Sequence, residues 1–178
     1  AEKISGRDSP KVVDLWELKR KINDQNLERI IEIIDTQGWP KESVVKASAA
    51  SAVFLVIQHS DLETQRKYLP VMKEAANDGE ASWSSLALLI DRVNLGEGKE
   101  QIYGSQIYRD EDGSFYVKDL MEPEYVNQRR KEVGLEPMAR QPVRVQAVFQ
   151  LVHTLLARAA LDVIVVAPLG LRRVLDRQ

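Results

Sequence analysis

Cysteine is absent from the 178 residues, which removes disulfide frameworks, iron–sulfur clusters, thiolate zinc sites and cysteine nucleophiles from consideration. Histidine occurs only at His59 and His153, too sparsely for an imidazole-rich centre, and no acidic cluster suits magnesium or calcium. No metal and no cofactor is expected. An excess of one charge is also lacking: 25 basic and 27 acidic residues leave a formal net charge of −2, so nothing draws the whole chain to nucleic acid or to an anionic membrane. No apolar run meets the ~20 residues a spanning helix needs. The stretch 47–57 is too short, and the one beyond Val143 is broken by Arg158 and Asp162. Nucleophile elbow, phosphate-cradling glycine loop, HExxH and dinucleotide fingerprint are all missing. A soluble cytoplasmic protein is expected. Because the chain begins at Ala1, export after removal of a leader stays open.

What is present builds a helical body. Hydrophobic residues make up 44% and charged residues 29%, enough for one core under a solvated surface. The pattern predicts a mainly α fold of about five to six helices with a small β-hairpin near 101–119. Ser9-Pro10 is a cap followed by proline at the first helical position, and Asn23-Asp24 is expected to interrupt the segment before Leu27, Ile30, Ile31 and Ile34 resume it. Gly38-Trp39-Pro40 is a stop. The small, apolar stretch 42–59, uncharged after Lys46, predicts a buried central helix, with a buried strand at 53–57 as the competing reading. Ser60 with Glu63 reads as a capping box opening a helix that kinks or restarts at Pro70. Leu86, Leu89, Ile90 and Val93 mark one face of the next helix. Residues 101–109 and 114–119 read as two strands around Asp110-Glu111-Asp112-Gly113, and Pro123 opens a last helix that Gly134 ends.

The tail differs in composition. Residues 141–178 hold no lysine, five arginines and 22 hydrophobic residues among 38. Val145, Val148, Phe149, Val152, Leu155, Leu156 and Ala159 fit an amphipathic helix. The expected organisation is therefore a helical domain over 1–140 and an apolar, arginine-bearing extension over 141–178 that packs on the body or on a partner.

Taken in order, Gly38-Trp39-Pro40, Gln58-His59-Ser60-Asp61, Gln65 with Tyr68-Leu69-Pro70, Asp91-Arg92, Gln101-Ile102-Tyr103-Gly104-Ser105-Gln106 and Arg129-Arg130 form a pattern. It resembles a family of uncharacterised bacterial proteins built on a domain of unknown function, from about Ile22 to Met138. Lys46 stands where a small residue is expected. The resemblance implies a shared polar site and names no substrate; the tail after Arg140 lies outside it.

Candidate site residues follow from chemistry. His59, beside Asp61, could serve as a general base, or could end one helix while Ser60 or Asp61 caps the next. Asp91 and Arg92 are adjacent on a helix, about 100° apart, so they address different neighbours. Arg92 could bind an anion or pair with a carboxylate that pins the hairpin to the body, and Arg129-Arg130 carries the same two readings. In 101–106, two amides, a phenol and a hydroxyl could orient a polar ligand or fix the chain where it crosses the helices. The ligand-binding candidates are thus Gln58, His59, Arg92, Gln101, Tyr103, Ser105, Gln106 and Arg129, and the catalytic candidates are His59, Asp61, Asp91 and Arg92. Three functions fit: a binding or interaction module with a polar cleft for a small polar ligand or a protein; a metal-independent, hydrolase-like enzyme using His59 as general base; or a structural protein that homo-oligomerises through 141–178.

Overall fold

The computed structural model describes residues 10–138; Ser9 and the extension 141–178 lie outside the described residues. These contain five α-helices, α1 (Pro10–Gln37), α2 (Ala47–Gln58), α3 (Leu62–Asn77), α4 (Trp83–Gly96) and α5 (Val126–Glu132). A hairpin of β1 (Ile107–Arg109) and β2 (Phe115–Val117) stands between α4 and a single 3-10 turn, Pro123–Tyr125, that leads into α5. The fold is mainly α with a minor β part, as the periodicity predicts.

The uncharged α2 is the centre, and it is helix through 53–57 where a strand was the competing reading. Ala49, Ala52, Val53 and Ile57 are buried against Ile30 and Ile34 of α1, Tyr68 and Met72 of α3, and Leu86 and Leu89 of α4. Full burial of side chains such as Ile30, Ile57, Leu86 and Leu89 stabilises by about 1.5–3 kcal/mol each. The alanines let the neighbouring backbones approach.

Three local expectations differ from the structure. Helix α1 runs unbroken through Asn23 and Asp24, both exposed, so their side chains face water and do not compete for the helical backbone. Helix α3 does not restart at Pro70, which lies on the exposed face, where water can take up the carbonyl that proline leaves unbonded. Of its two candidate caps it uses Asp61, not the Ser60 of the expected capping box: the Asp61 carboxylate accepts the Thr64 N–H at 2.7 Å, while the Ser60 hydroxyl donates to the Ile57 carbonyl at 2.6 Å.

Polar ties set the helix ends. Gly38 closes α1 at φ +77°, a left-handed position without a Cβ penalty, and delivers Trp39 and Pro40 into the interior. Asp35 accepts from the Tyr68 hydroxyl and from Lys67 Nζ, each at 2.9 Å, locking α1 to α3. Gln65, buried, donates to the Gln58 carbonyl at 3.0 Å and the Ser60 carbonyl at 2.8 Å, binding the end of α2 to α3. Ser43 donates through its N–H and its hydroxyl to the Glu80 carboxylate, so two inter-helix loops meet. No helix of the described residues is long and apolar enough to cross a membrane.

Candidate functional site

The site begins with a carboxylate in the interior. Asp91, on the buried side of α4, is 0% exposed, a position a charge tolerates only when hydrogen bonds replace its water. They come from the loop 101–106. Asp91 Oδ1 accepts the N–H of Ile102 at 2.7 Å and of Tyr103 at 3.0 Å, and Oδ2 accepts the N–H of Ser105 at 2.9 Å. A charged acceptor roughly doubles the strength of such bonds, so the loop is drawn onto α4 by its amides.

Its carbonyls face two cations. Arg129 Nε donates to the Ile102 carbonyl at 2.8 Å, and its Nη2 donates to the carbonyls of Met121 and Glu122. Arg130 Nη1 donates to the Tyr103 carbonyl at 2.8 Å, and its Nε to the Glu136 carbonyl at 2.6 Å. Burial pushes the Arg130 guanidinium below its ordinary range, and the Asp91 charge acts the other way. Adjacent arginines thus clasp the loop from α5.

Gln101, also 0% exposed, closes the loop on itself. Its Nε2 donates to the carbonyls of Lys118 at 2.7 Å and Gln106 at 3.1 Å, and its Oε1 accepts the Gln106 N–H at 2.8 Å. A parallel bridge ties it to Leu120. Gly104, at φ +61°, makes the reversal; a Cβ there would stand 2.9 Å from Met138 Sδ. The predicted strand at 101–106 is therefore a clasped turn, and β1 starts only at Ile107.

The remaining candidates fall on two neighbourhoods. Gln106 donates to the Leu88 carbonyl at 3.4 Å and to the Ser105 hydroxyl at 3.0 Å. Leu88 lies one turn before Arg92 on α4. Arg92 Nε is buried without a hydrogen-bond partner, and no carboxylate of the described residues forms an ion pair with this guanidinium. Burial pushes its pKa down, while the nearby Tyr108 phenol acts the other way. Tyr103 is half-buried, its phenol pushed up by burial and then by the Asp91 charge.

The second neighbourhood is the α2–α3 junction. His59 is the exposed residue that ends α2, Gln58 is buried with its carbonyl bound by Gln65, and Asp61 is engaged as the cap. Hydrogen bonds from the Thr64 backbone and hydroxyl hold the Asp61 carboxyl below its usual range. Leu62 packs where a Cβ at Gly96 would fall, so this junction sits beside the end of α4. No group of three or more His, Asp or Glu among the described residues could hold a metal ion.

Sequence reasoning missed the receiving side of the clasp, residues 119–122 and 136. Asp119 and Glu122 adopt positive φ without being glycine, at 48° and 35°, a conformation that glutamate does not announce and aspartate only favours weakly.

Comparison with known proteins adds one relation. A family model described as a family of unknown function (DUF6624) matches residues 3–151, reaching past both ends of the region 22–138 and into the first part of the apolar extension. No curated protein and no solved structure matches.

Proposed function

The chain belongs to this family of unknown function, and we propose that it is a binding module whose ligand, a small molecule or a side chain of a protein partner, carries an anionic group that meets Arg92. The observation that carries this reading is the buried Arg92 Nε, which has no hydrogen-bond partner among the described residues. Arg129 and Arg130 are both occupied by carbonyls, whereas Arg92 Nε is buried without an acceptor. Removing a cation from water without an acceptor is costly, and a bidentate carboxylate or phosphate offsets that cost. Support comes from the surroundings: the Gln106 amide reaches the Leu88 carbonyl, one turn before Arg92, from a loop that Asp91, Arg129 and Gln101 hold in one conformation. Such pre-organisation lowers the entropy lost on binding. The reading with His59 as general base is supported less, since Asp61, the group that would orient the imidazole, is engaged with the Thr64 N–H.

The test is thermal unfolding at constant ionic strength with inorganic phosphate or acetate as probe, for the wild type and for Arg92→Met. Ligand at about a hundredfold excess over Kd stabilises the folded state by about 2.7 kcal/mol. A rise in midpoint with probe concentration is expected for the wild type and a flat response for Arg92→Met. Equal responses from both proteins would refute the role of Arg92.

A further inference from the structure

Beyond the clasped turn, the chain meets α4 a second time. The Gln106 amide donates to the Leu88 carbonyl at 3.4 Å, and two residues on, the Tyr108 phenol stands near enough to Arg92 to act on its charge. The spacings agree. Ile107 between them is strand, so the side chains of Gln106 and Tyr108 leave one side of the chain about 6.6 Å apart. Leu88 and Arg92 are four residues apart on α4, about 6 Å along its axis. Across the hairpin Tyr108 pairs with Tyr116, which puts both rings on one face, their centroids 5.9 Å apart and their planes tilted by 32°. The next pair, Ile107 with Val117, belongs to the opposite face, where Val117 stands 3.5 Å from the place a Cβ on Gly104 would take. The tyrosine face is open, with Tyr108 39% and Tyr116 44% exposed.

A cross-strand tyrosine pair is by itself ordinary hairpin packing. This one adjoins a half-buried guanidinium whose Nε has no hydrogen-bond partner among the described residues. We propose that the anionic group received by Arg92 is carried on an aromatic ring, as in an aryl carboxylate or aryl phosphate, and that this ring lies on the Tyr108–Tyr116 pair; the proposal rests on the reading of Arg92 as an anion site. The two recognition elements differ in kind and complement each other. A planar guanidinium takes a carboxylate or phosphate through paired N–H donors, while two tilted rings offer a third ring offset-stacked or edge-to-face contact. A ring seated there would also keep water from the ion pair, which strengthens it. An aliphatic anion would satisfy Arg92 and leave both tyrosines wet.

The test compares acetate with benzoate, and inorganic phosphate with phenyl phosphate, by NMR titration of the full chain at constant ionic strength. In at least one of the two comparisons the ring-bearing probe should bind wild type about threefold tighter or better, the scale of one aromatic pairing. Which comparison shows the gain tells a carboxylate ligand from a phosphate. Tyr116→Phe keeps the ring and should keep the gain. Tyr116→Thr removes the ring while preserving strand propensity, and should abolish the gain with the ring-free anion binding as before. Equal dissociation constants within both comparisons, or a gain that survives Tyr116→Thr, overturn the proposal; ring-free anions that still bind and are lost in Arg92→Met would then leave the anion site itself standing. If no probe responds to Arg92→Met, both the anion site and the aromatic specificity are overturned.

Discussion

The carboxylate of Asp91 and the backbone N–H of Ile102 stand 2.7 Å apart, joining the middle of α4 to a loop that begins after the helix has ended. Tyr103 and Ser105 supply further donors to the same two oxygens. Removing the acceptor strands three amides in a partly buried place, and each unsatisfied donor costs about 1–3 kcal/mol. Asp91→Ala should therefore lower stability by about 3–5 kcal/mol, shifting the urea midpoint without requiring a change in helix content. Asp91→Asn should recover only part of this, because its amide turns a donor toward donors. Unfolding of both variants to within 1 kcal/mol of wild type, about the value of one ordinary hydrogen bond, would show that the loop does not depend on Asp91.

A second consequence concerns Gly104. Its φ of +61° costs a residue with a Cβ about 1–2 kcal/mol, and that Cβ would also meet Met138 Sδ at 2.9 Å. Gly38, at φ +77°, has nothing within 4 Å. Gly38→Ala is thus expected to show the backbone cost alone, and Gly104→Ala a larger loss. Adding Met138→Ala to Gly104→Ala should bring the two glycine sites closer together. Chemical denaturation of the four proteins checks the ordering.

This loop also shows where the amino-acid pattern stops being informative. Alternation of Gln101, Tyr103 and Ser105 with Ile102, Gly104 and Gln106 has the period of a strand, but in a strand the N–H groups of neighbouring residues point to opposite edges. Here the Ile102 and Tyr103 amides converge on one carboxylate. A buried charge on α4 overrides the local pattern, and only the tertiary fold reveals which charge. The helices were legible because their burial repeats every 3.6 residues, and Gly38-Trp39-Pro40 because glycine and proline act on their own backbone. The shift of the cap from Ser60 to Asp61 turns on a single residue's φ and ψ. The division of labour among Arg92, Arg129 and Arg130 was illegible for a similar reason: three arginines look alike until the carbonyls of 102, 103 and 121 are placed around two of them.

Acid should weaken the helix junctions before it touches the core. Hydrogen bonds from Lys67 and Tyr68 hold the Asp35 carboxyl below its usual range, those from Thr64 do so for Asp61, and those from Ser43 for Glu80. Each folded pKa lies below its unfolded value, near 3.9 for aspartate and 4.3 for glutamate. Between the two values the unfolded chain binds more protons, so stability rises with pH there. The contribution is complete above about pH 5 and disappears as pH falls through the folded pKa values. Asp35→Asn should flatten this acid limb while leaving the curve between pH 6 and 8 parallel to wild type. Urea midpoints measured from pH 3 to 8 test it, and an acid limb unchanged in Asp35→Asn would contradict the assignment to that residue.

Arg129 provides the sharpest test of geometry against charge. Its Nε reaches the Ile102 carbonyl at 2.8 Å while Nη2 reaches the carbonyls of Met121 and Glu122, so one planar fork spans both sides of the crossing chain. Lysine keeps the charge and loses the fork. The pair with the Glu122 carboxylate, at 3.5 Å and largely exposed on the glutamate side, contributes little, and lysine could retain it. If the carbonyl contacts matter, Arg129→Lys should destabilise by about 2 kcal/mol, from hydrogen bonds to a charged group worth about 1.5–3 kcal/mol. Glu122→Gln should change almost nothing. Amide exchange should separate the effect further: in Arg129→Lys the loop amides of 102–105 should exchange faster, while those of α2, buried at the centre, should keep their protection. A lysine variant that matches wild type in both measurements would mean that charge alone holds the loop.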